Sequence, residues 1–245
     1  MQVQVDHYPI WSLSHGEVVE VDTWVESSGK NGMRRDWLIR SQATGLIFAT
    51  ATSTWVMMNQ QTRRLSKMPE EVGAEISPWF IAKQAIKEDV PEKIFKLDSN
   101  ANFMDSDLKP KRSDLDMNHH VNNVKYVRWM LESIPDQFLE THELSGTVLE
   151  YRKECGSSDI VQSYCQPVED DIFSNGVLPN KDVSLLNGFS LASEIMDGNG
   201  LLGSLDSKPY RFTHLLQIEG ENQKEEIVRG RTTWRKKITT MPFSI

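Results

Sequence analysis

The chain repeats one stretch of itself. RRDWLIRSQATGLIFATATSTWVMM, starting at Arg34, and YRFTHLLQIEGENQKEEIVRGRTTWRKK, starting at Tyr210, each read as a strand, a polar turn and a second strand closing on Ser/Thr-Thr-Trp. Trp55 and Trp234 thereby occupy matching places. EVVEVDTWV, from Glu17, is similar in the same way to DIVQSYCQPV, from Asp159 to Val168. Two copies of one antiparallel unit leave few architectures open, and predict two packed sheets of the same fold.

β-Branched and aromatic residues mark strands at Glu17 to Val25, Arg35 to Arg40, Gly45 to Met58, Ser145 to Lys153, Tyr210 to Glu219 and Glu226 to Arg235, while MQVQVDHYPIW at the front alternates like a strand. Turn chemistry separates them at Ser28-Gly29-Lys30-Asn31-Gly32, Ala43-Thr44-Gly45 and Glu219-Gly220-Glu221-Asn222. One helix interrupts this pattern. In Asn122 to Glu132, Val124, Val127, Met130 and Leu131 recur at helical spacing, asparagines stand in front as caps and Pro135 follows, which predicts a buried helix of about three turns. The first copy begins with strand residues and has no counterpart, so its leading strand and helix are expected upstream. The resulting organisation is residues 1–68 as a first unit of strands only, 69–100 as a Pro-interrupted linker and 101–245 as a second, complete unit. Asp170 to Gly203, rich in Asn, Asp, Ser and Gly, reads as an exposed insertion between strands.

With 245 residues and 38% hydrophobic content the chain can bury one large core or two smaller ones. No apolar run approaches the length of a membrane span, and nothing at the front opens like a signal peptide. A net charge of −8 argues against general nucleic-acid binding, although Arg34-Arg35, Arg63-Arg64-Lys67, Lys109-Lys111-Arg112 and Arg235-Lys236-Lys237 are local basic clusters suited to an acidic partner. Two cysteines, Cys155 and Cys165, provide no disulfide scaffold and no thiol-rich zinc site.

Chemistry concentrates at Ser113-Asp114-Leu115-Asp116-Met117-Asn118-His119-His120, just ahead of the helix. His moves protons near neutral pH, Asn donates to a carbonyl, Asp orients an imidazole, and helix N-terminal amides suit an oxyanion. Equally, these residue types build turns and caps. A second group is Leu149-Glu150-Tyr151-Arg152-Lys153-Glu154-Cys155. On a regular strand Glu150, Arg152 and Glu154 share one face and Tyr151, Lys153 and Cys155 the other, so Glu154 and Cys155 cannot both face a site without a bulge. A metal reading of Asp116, His119 and His120 is weak, because adjacent histidines diverge.

The strings VEVDTWVESSGKNGMRRDWLIR, WVMMNQQTRRLSKMPEEV, SDLDMNHHVNNVKYVRWMLESIP, HELSGTVLEYRKEC and EIVRGRTTWRKK resemble the plant acyl-acyl-carrier-protein (acyl-ACP) thioesterases of the B class over nearly the whole chain. The resemblance implies an α+β chain of tandem hotdog folds, each an antiparallel sheet wrapped around a long helix, with the first incomplete. It implies hydrolysis of the fatty acyl-ACP thioester in fatty acid biosynthesis, in the plastid stroma, although this chain shows no transit peptide. Acyl carrier protein is the implied partner, no cofactor or metal is required, and a homodimer is compatible. Asp116, Asn118, His120, Glu154 and Cys155 fall on the family's active-site positions; His119 stands where Gln is common, and WSLSHGEVVEV carries extra residues in a hairpin. Two mechanisms use this set: a water activated by Glu154 or Asp116, with Asn118, His120 and helix amides holding the carbonyl, or attack by Cys155 with His120 as base. The pleat argument favours the first. The alternative function is a non-catalytic truncated paralogue that binds acyl-ACP or pairs with a full-length thioesterase.

Overall fold

Hairpins form where the repeats mark them. In the computed structural model, which describes residues 1–5, 18–29, 32–62, 64–87, 93–97, 101–168, 209–220 and 224–237, the first repeat is the pair β3 (Gly32–Ser41) and β4 (Ile47–Val56), joined in register from Gly32 opposite Val56 to Ile39 opposite Ala49. Its turn uses Gly45 at φ +71°, a left-handed conformation that favours glycine. The second repeat is the pair β8 (Tyr210–Glu219) and β9 (Lys224–Lys236). The matching residues behave alike locally: Trp55 Nε1 donates to Ser53 Oγ at 2.7 Å and Trp234 Nε1 to Thr232 Oγ1 at 2.9 Å.

The remaining strands are β1 (Gln2–Val5), β2 (Val19–Ser28), β5 (Phe103–Leu108), β6 (His142–Tyr151) and β7 (Val161–Pro167). Their order across the sheet is β2-β3-β4-β1-β6-β9-β8-β7-β5. Reading outward from the middle, β1-β4-β3-β2 is matched by β6-β9-β8-β7, so the duplication is legible in the topology. The copies do not make two packed sheets, as the repeat alone predicts. They share one, because β1 and β6 pair antiparallel, with Val3 opposite Thr147, and each satisfies the other's open edge. Among the described residues the outer strand β5 belongs to the second half and has no counterpart in the first. Its sequence, FMDSDL, is too polar to stand out as a strand.

The helical segment comprises α2 (Asn123–Glu132) and α3 (Asp136–Thr141), after α1 (Glu70–Ile76) in the segment between the halves. The side chain of Asn122 caps α2 by accepting from the amide of Val124 at 3.0 Å. The buried face of α2 is Tyr126, Trp129 and Met130, and Val124, expected inside, is exposed. The aromatic side chains, which bury more area, turn this stripe inward instead. α2 packs on β7 and β8 around Val161, Leu216, Ile218, Ile227 and Val228. Gly230 admits it, since a Cβ there would lie 2.7 Å from Met130 Sδ. Pro135 ends one helix and stands at the start of the next, whose Phe138 stacks edge-on against Phe212 and Trp234. This second half is a sheet packed on a central helix, the hotdog arrangement.

The first half has no such helix among the described residues. Trp234 is 4% exposed beneath Phe138, whereas its counterpart Trp55 is 57% exposed. The segment expected as a linker is more than a tether. Phe80 pairs in parallel with Val25 at the free edge of β2, Trp24 Nε1 donates to Lys83 O at 2.6 Å, and further on Arg229 of β9 donates to Ile94 O at 3.1 Å. The expected insertion, Asp170 to Gly203, lies outside the described residues.

Candidate active site

Residues 115–121 form a miniature hairpin, closed by a bridge between Leu115 and Val121. Asp116 builds its turn: Oδ1 accepts from the amides of Asn118 at 2.8 Å and His120 at 3.0 Å, and its own amide donates to His120 O at 2.8 Å. An acidic side chain that collects two amides in a tight turn acts as a local template. His119 is left at φ +61° with its side chain exposed, and Asn118 stands exposed on the same turn. His120, next to His119, is half-buried.

Glu154 and Cys155 reach this hairpin from the end of β6. The pleat argument for these two does not apply, because β6 stops at Tyr151. The amides of Arg152 and Lys153 both donate to Ile227 O, at 2.9 and 3.3 Å, which puts two residues against one and ends the regular ladder. Beyond that point Gly156 bridges His120, and the amide of Val121 donates to Cys155 O at 2.9 Å. The result sets Glu154 and Cys155 apart by burial. Glu154 Oε2 lies 3.5 Å from His120 Nε2, with both side chains partly open to solvent. Cys155 is fully buried in the core beneath α2, and its Sγ is 3.6 Å from Gly156 O. Burial, with Asp159 alongside, pushes the thiol up to about 12.

The N-terminus of α2 contributes less than expected to an oxyanion site. The amide of Val124 is taken by Asn122 Oδ1, that of Lys125 by Asn122 O at 2.9 Å and that of Asn122 by Asp114 O at 2.8 Å. Among the described residues no group of three or more His, Cys, Asp or Glu side chains gathers as a metal site, and no helix is long and apolar enough to cross a membrane.

Residues 97–236 match the model of the acyl-ACP thioesterase C-terminal domain and residues 1–76 that of the N-terminal domain. The chain belongs to the acyl-ACP thioesterase family. It is 46% identical to a chloroplastic palmitoyl-acyl carrier protein thioesterase of Gossypium hirsutum over 97% of this chain and 49% of that protein. To the Arabidopsis thaliana protein of the same name it is 43% identical, over 98% of this chain and 50% of the relative. The chain thus spans about half the length of these curated relatives. The solved 12:0-ACP thioesterase from Umbellularia californica superimposes with a TM-score of 0.73 at 38% identity, covering 96% of this chain and 71% of that one.

In this member of the family Asp116, Asn118 and His120 share one hairpin, and Glu154 meets His120 across a separation of 34 residues. Cys155 adjoins them in sequence, but its thiol faces the core. Two residues that the sequence reading passed over also border the site. Tyr126 accepts from the amide of Cys155 through its hydroxyl at 3.3 Å, and Asp159 Oδ2 accepts from the amide of Gly156 at 2.8 Å. The i, i+3, i+4 spacing of Tyr126, Trp129 and Met130 was the signal for the first. Of the basic clusters, Arg34 is engaged by Glu26 and Asp36, and Arg235 by Glu143. Lys111 and Arg112 stay exposed immediately before the hairpin.

Proposed function

We propose that this chain hydrolyses the thioester of a fatty acyl-ACP, releasing free fatty acid and carrier protein in plastid fatty acid biosynthesis. The observation that carries the reading is the contact of Glu154 with His120 at 3.5 Å, in solvent reach, beside a thiol that is sealed away. Glu154 and His120 take a proton from water as its oxygen attacks the acyl carbonyl carbon. The side-chain amide of Asn118 receives the oxyanion. When the carbon–sulfur bond breaks, His120 returns the proton to the carrier's sulfur, so that no net proton is consumed in forming acid and thiol. Asp116 holds the loop and is a positioning residue. Lys109, Lys111 and Arg112 lead directly into this hairpin and suit an acidic carrier protein. The chloroplastic names of the relatives support the plastid assignment.

Hydrolysis of a panel of acyl-ACPs by the folded chain, beside His120→Ala, tests the proposal. Turnover that disappears in the variant supports it, and a folded wild-type chain without turnover refutes it. That second result would favour a protein that binds acyl-ACP or pairs with a longer relative. The observation on its side is the exposed Trp55 on a sheet face with no helix over it among the described residues.

A further inference from the structure

We infer that the Tyr126 hydroxyl is a positioning group for the Glu154–His120 pair, an inference that rests on the hydrolase reading above. Glu154 has no regular ladder to hold it, because β6 ends three residues earlier. It is fixed by its neighbours on either side. Upstream, Arg152 and Lys153 are anchored on Ile227 O. Downstream, Cys155 is held by its carbonyl on the amide of Val121 and by its amide on the Tyr126 hydroxyl, and Gly156 is held by Asp159 Oδ2.

Of these anchors Tyr126 alone belongs to the buried face of α2, the helix that follows the His120 hairpin directly. Its ring is 3% exposed and packs on Trp129 and Tyr151 with centroids 6.1 Å away in each case, so the hydroxyl cannot swing to another partner. The hydroxyl therefore ties the segment that carries His120 to the turn that carries Glu154. It also satisfies an amide that is otherwise orphaned in the core. Without this bond the turn keeps its backbone contacts with Val121 and His120 but loses the hold on the Cys155 amide, so the separation of carboxylate and imidazole is set less closely. Reacting groups displaced by a fraction of an ångström lose rate without losing substrate affinity.

Tyr126→Phe keeps the ring and removes only the hydroxyl. Ser163→Ala is the matched control: it deletes buried hydrogen bonds to Trp129 O and Ser133 under the same helix, away from the turn. In the full chain, Tyr126→Phe is expected to lower kcat about tenfold with KM within about twofold, while Ser163→Ala leaves both unchanged. Independently of turnover, the His120 ring signals in a ¹³C–¹H NMR spectrum are expected to move in Tyr126→Phe in the direction they move in Glu154→Gln, and to stay in place in Ser163→Ala. Unmoved ring signals in Tyr126→Phe, or equal loss of kcat in both variants, overturn the inference. A wild-type chain without turnover would sink the hydrolase reading, and the ring signals would still decide the role of Tyr126.

Discussion

Replacing Cys155 by alanine separates the two mechanisms this site has been able to suggest. The sulfur is fully buried, and its thiol is pushed up to about 12 by burial and by Asp159. At pH 8 a group with that value is ionised in about one molecule in 10⁴, against roughly a quarter for a free cysteine. A thiolate nucleophile would thus begin about three orders of magnitude short, and it would also have to reach substrate from within the core. The sulfur contributes packing instead, so Cys155→Ala should cost about 1 kcal/mol of stability and leave kcat within about threefold. His120→Ala and Glu154→Gln should each lower kcat about 10²-fold or more, the usual worth of a positioned acid–base group. The assay is steady-state release of fatty acid from acyl-ACP, with folding checked by circular dichroism and the melting midpoint. A well-folded Cys155→Ala protein whose kcat has fallen a hundredfold would refute the argument from burial.

Three more perturbations follow from the fold. Trp234→Ala should destabilise the chain by about 3–5 kcal/mol, whereas Trp55→Ala at the equivalent place should stay within about 1 kcal/mol, because only Trp234 is covered by α3; urea unfolding of both measures the difference. His214 is fully buried with Nε2 on Thr232 Oγ1 at 2.8 Å, and burial lowers it to about 3. Its unfolded form binds a proton below about pH 6.5 and its folded form does not, so stability falls as pH drops from there toward 3, by about 1.4 kcal/mol per pH unit. Subtracting the profile of His214→Gln from the wild-type profile isolates this slope, and parallel profiles would contradict it. Gly230→Ala places a Cβ 2.7 Å from Met130 Sδ and 3.2 Å from Leu149 Cδ2, and should cost about 1–3 kcal/mol by overpacking, read as a lowered melting midpoint.

The strands and the duplication were legible because alternating β-branched residues and hairpin turns are local signals, and Tyr210 to Glu219 was placed at its observed bounds. The joining of the two halves was not. Which edge strands meet is a long-range choice, and QVQV at the front carries no mark of pairing with SGTV near residue 147. The helix was legible in position but rotated in face, since Val124 fits the apolar spacing as well as Tyr126 does and only volume decides between them. At the site, the residue types were visible in two short segments, Ser113 to His120 and Leu149 to Cys155. Their roles were not, because the termination of β6 at Tyr151 depends on Ile227, a residue 76 positions away that receives two amides at once. That single irregularity turns an argument from alternation into one from burial.

The placing of β1 bears on the site through β6. Strand β6 is flanked on one side by β9 and on the other by β1, with Gln2, Val3 and Gln4 opposite Val148, Thr147 and Gly146. Met1 O also accepts from the amide of Leu149 at 2.7 Å. Glu154 lies five residues beyond Leu149, so the first half of the chain braces the strand that delivers the carboxylate, although it contributes none of the five candidate residues. Removing residues 1–5 turns β6 into an edge strand and loses three cross-strand pairs, worth about 1–3 kcal/mol together. Amide exchange at Thr147 and Leu149 should then quicken, and kcat should fall with it, because the turn at Arg152 to Gly156 hangs from the end of β6. Exchange and turnover both unchanged after the deletion would show that β9 alone holds the strand, and that the two halves of the sheet are joined without either supporting the other's chemistry.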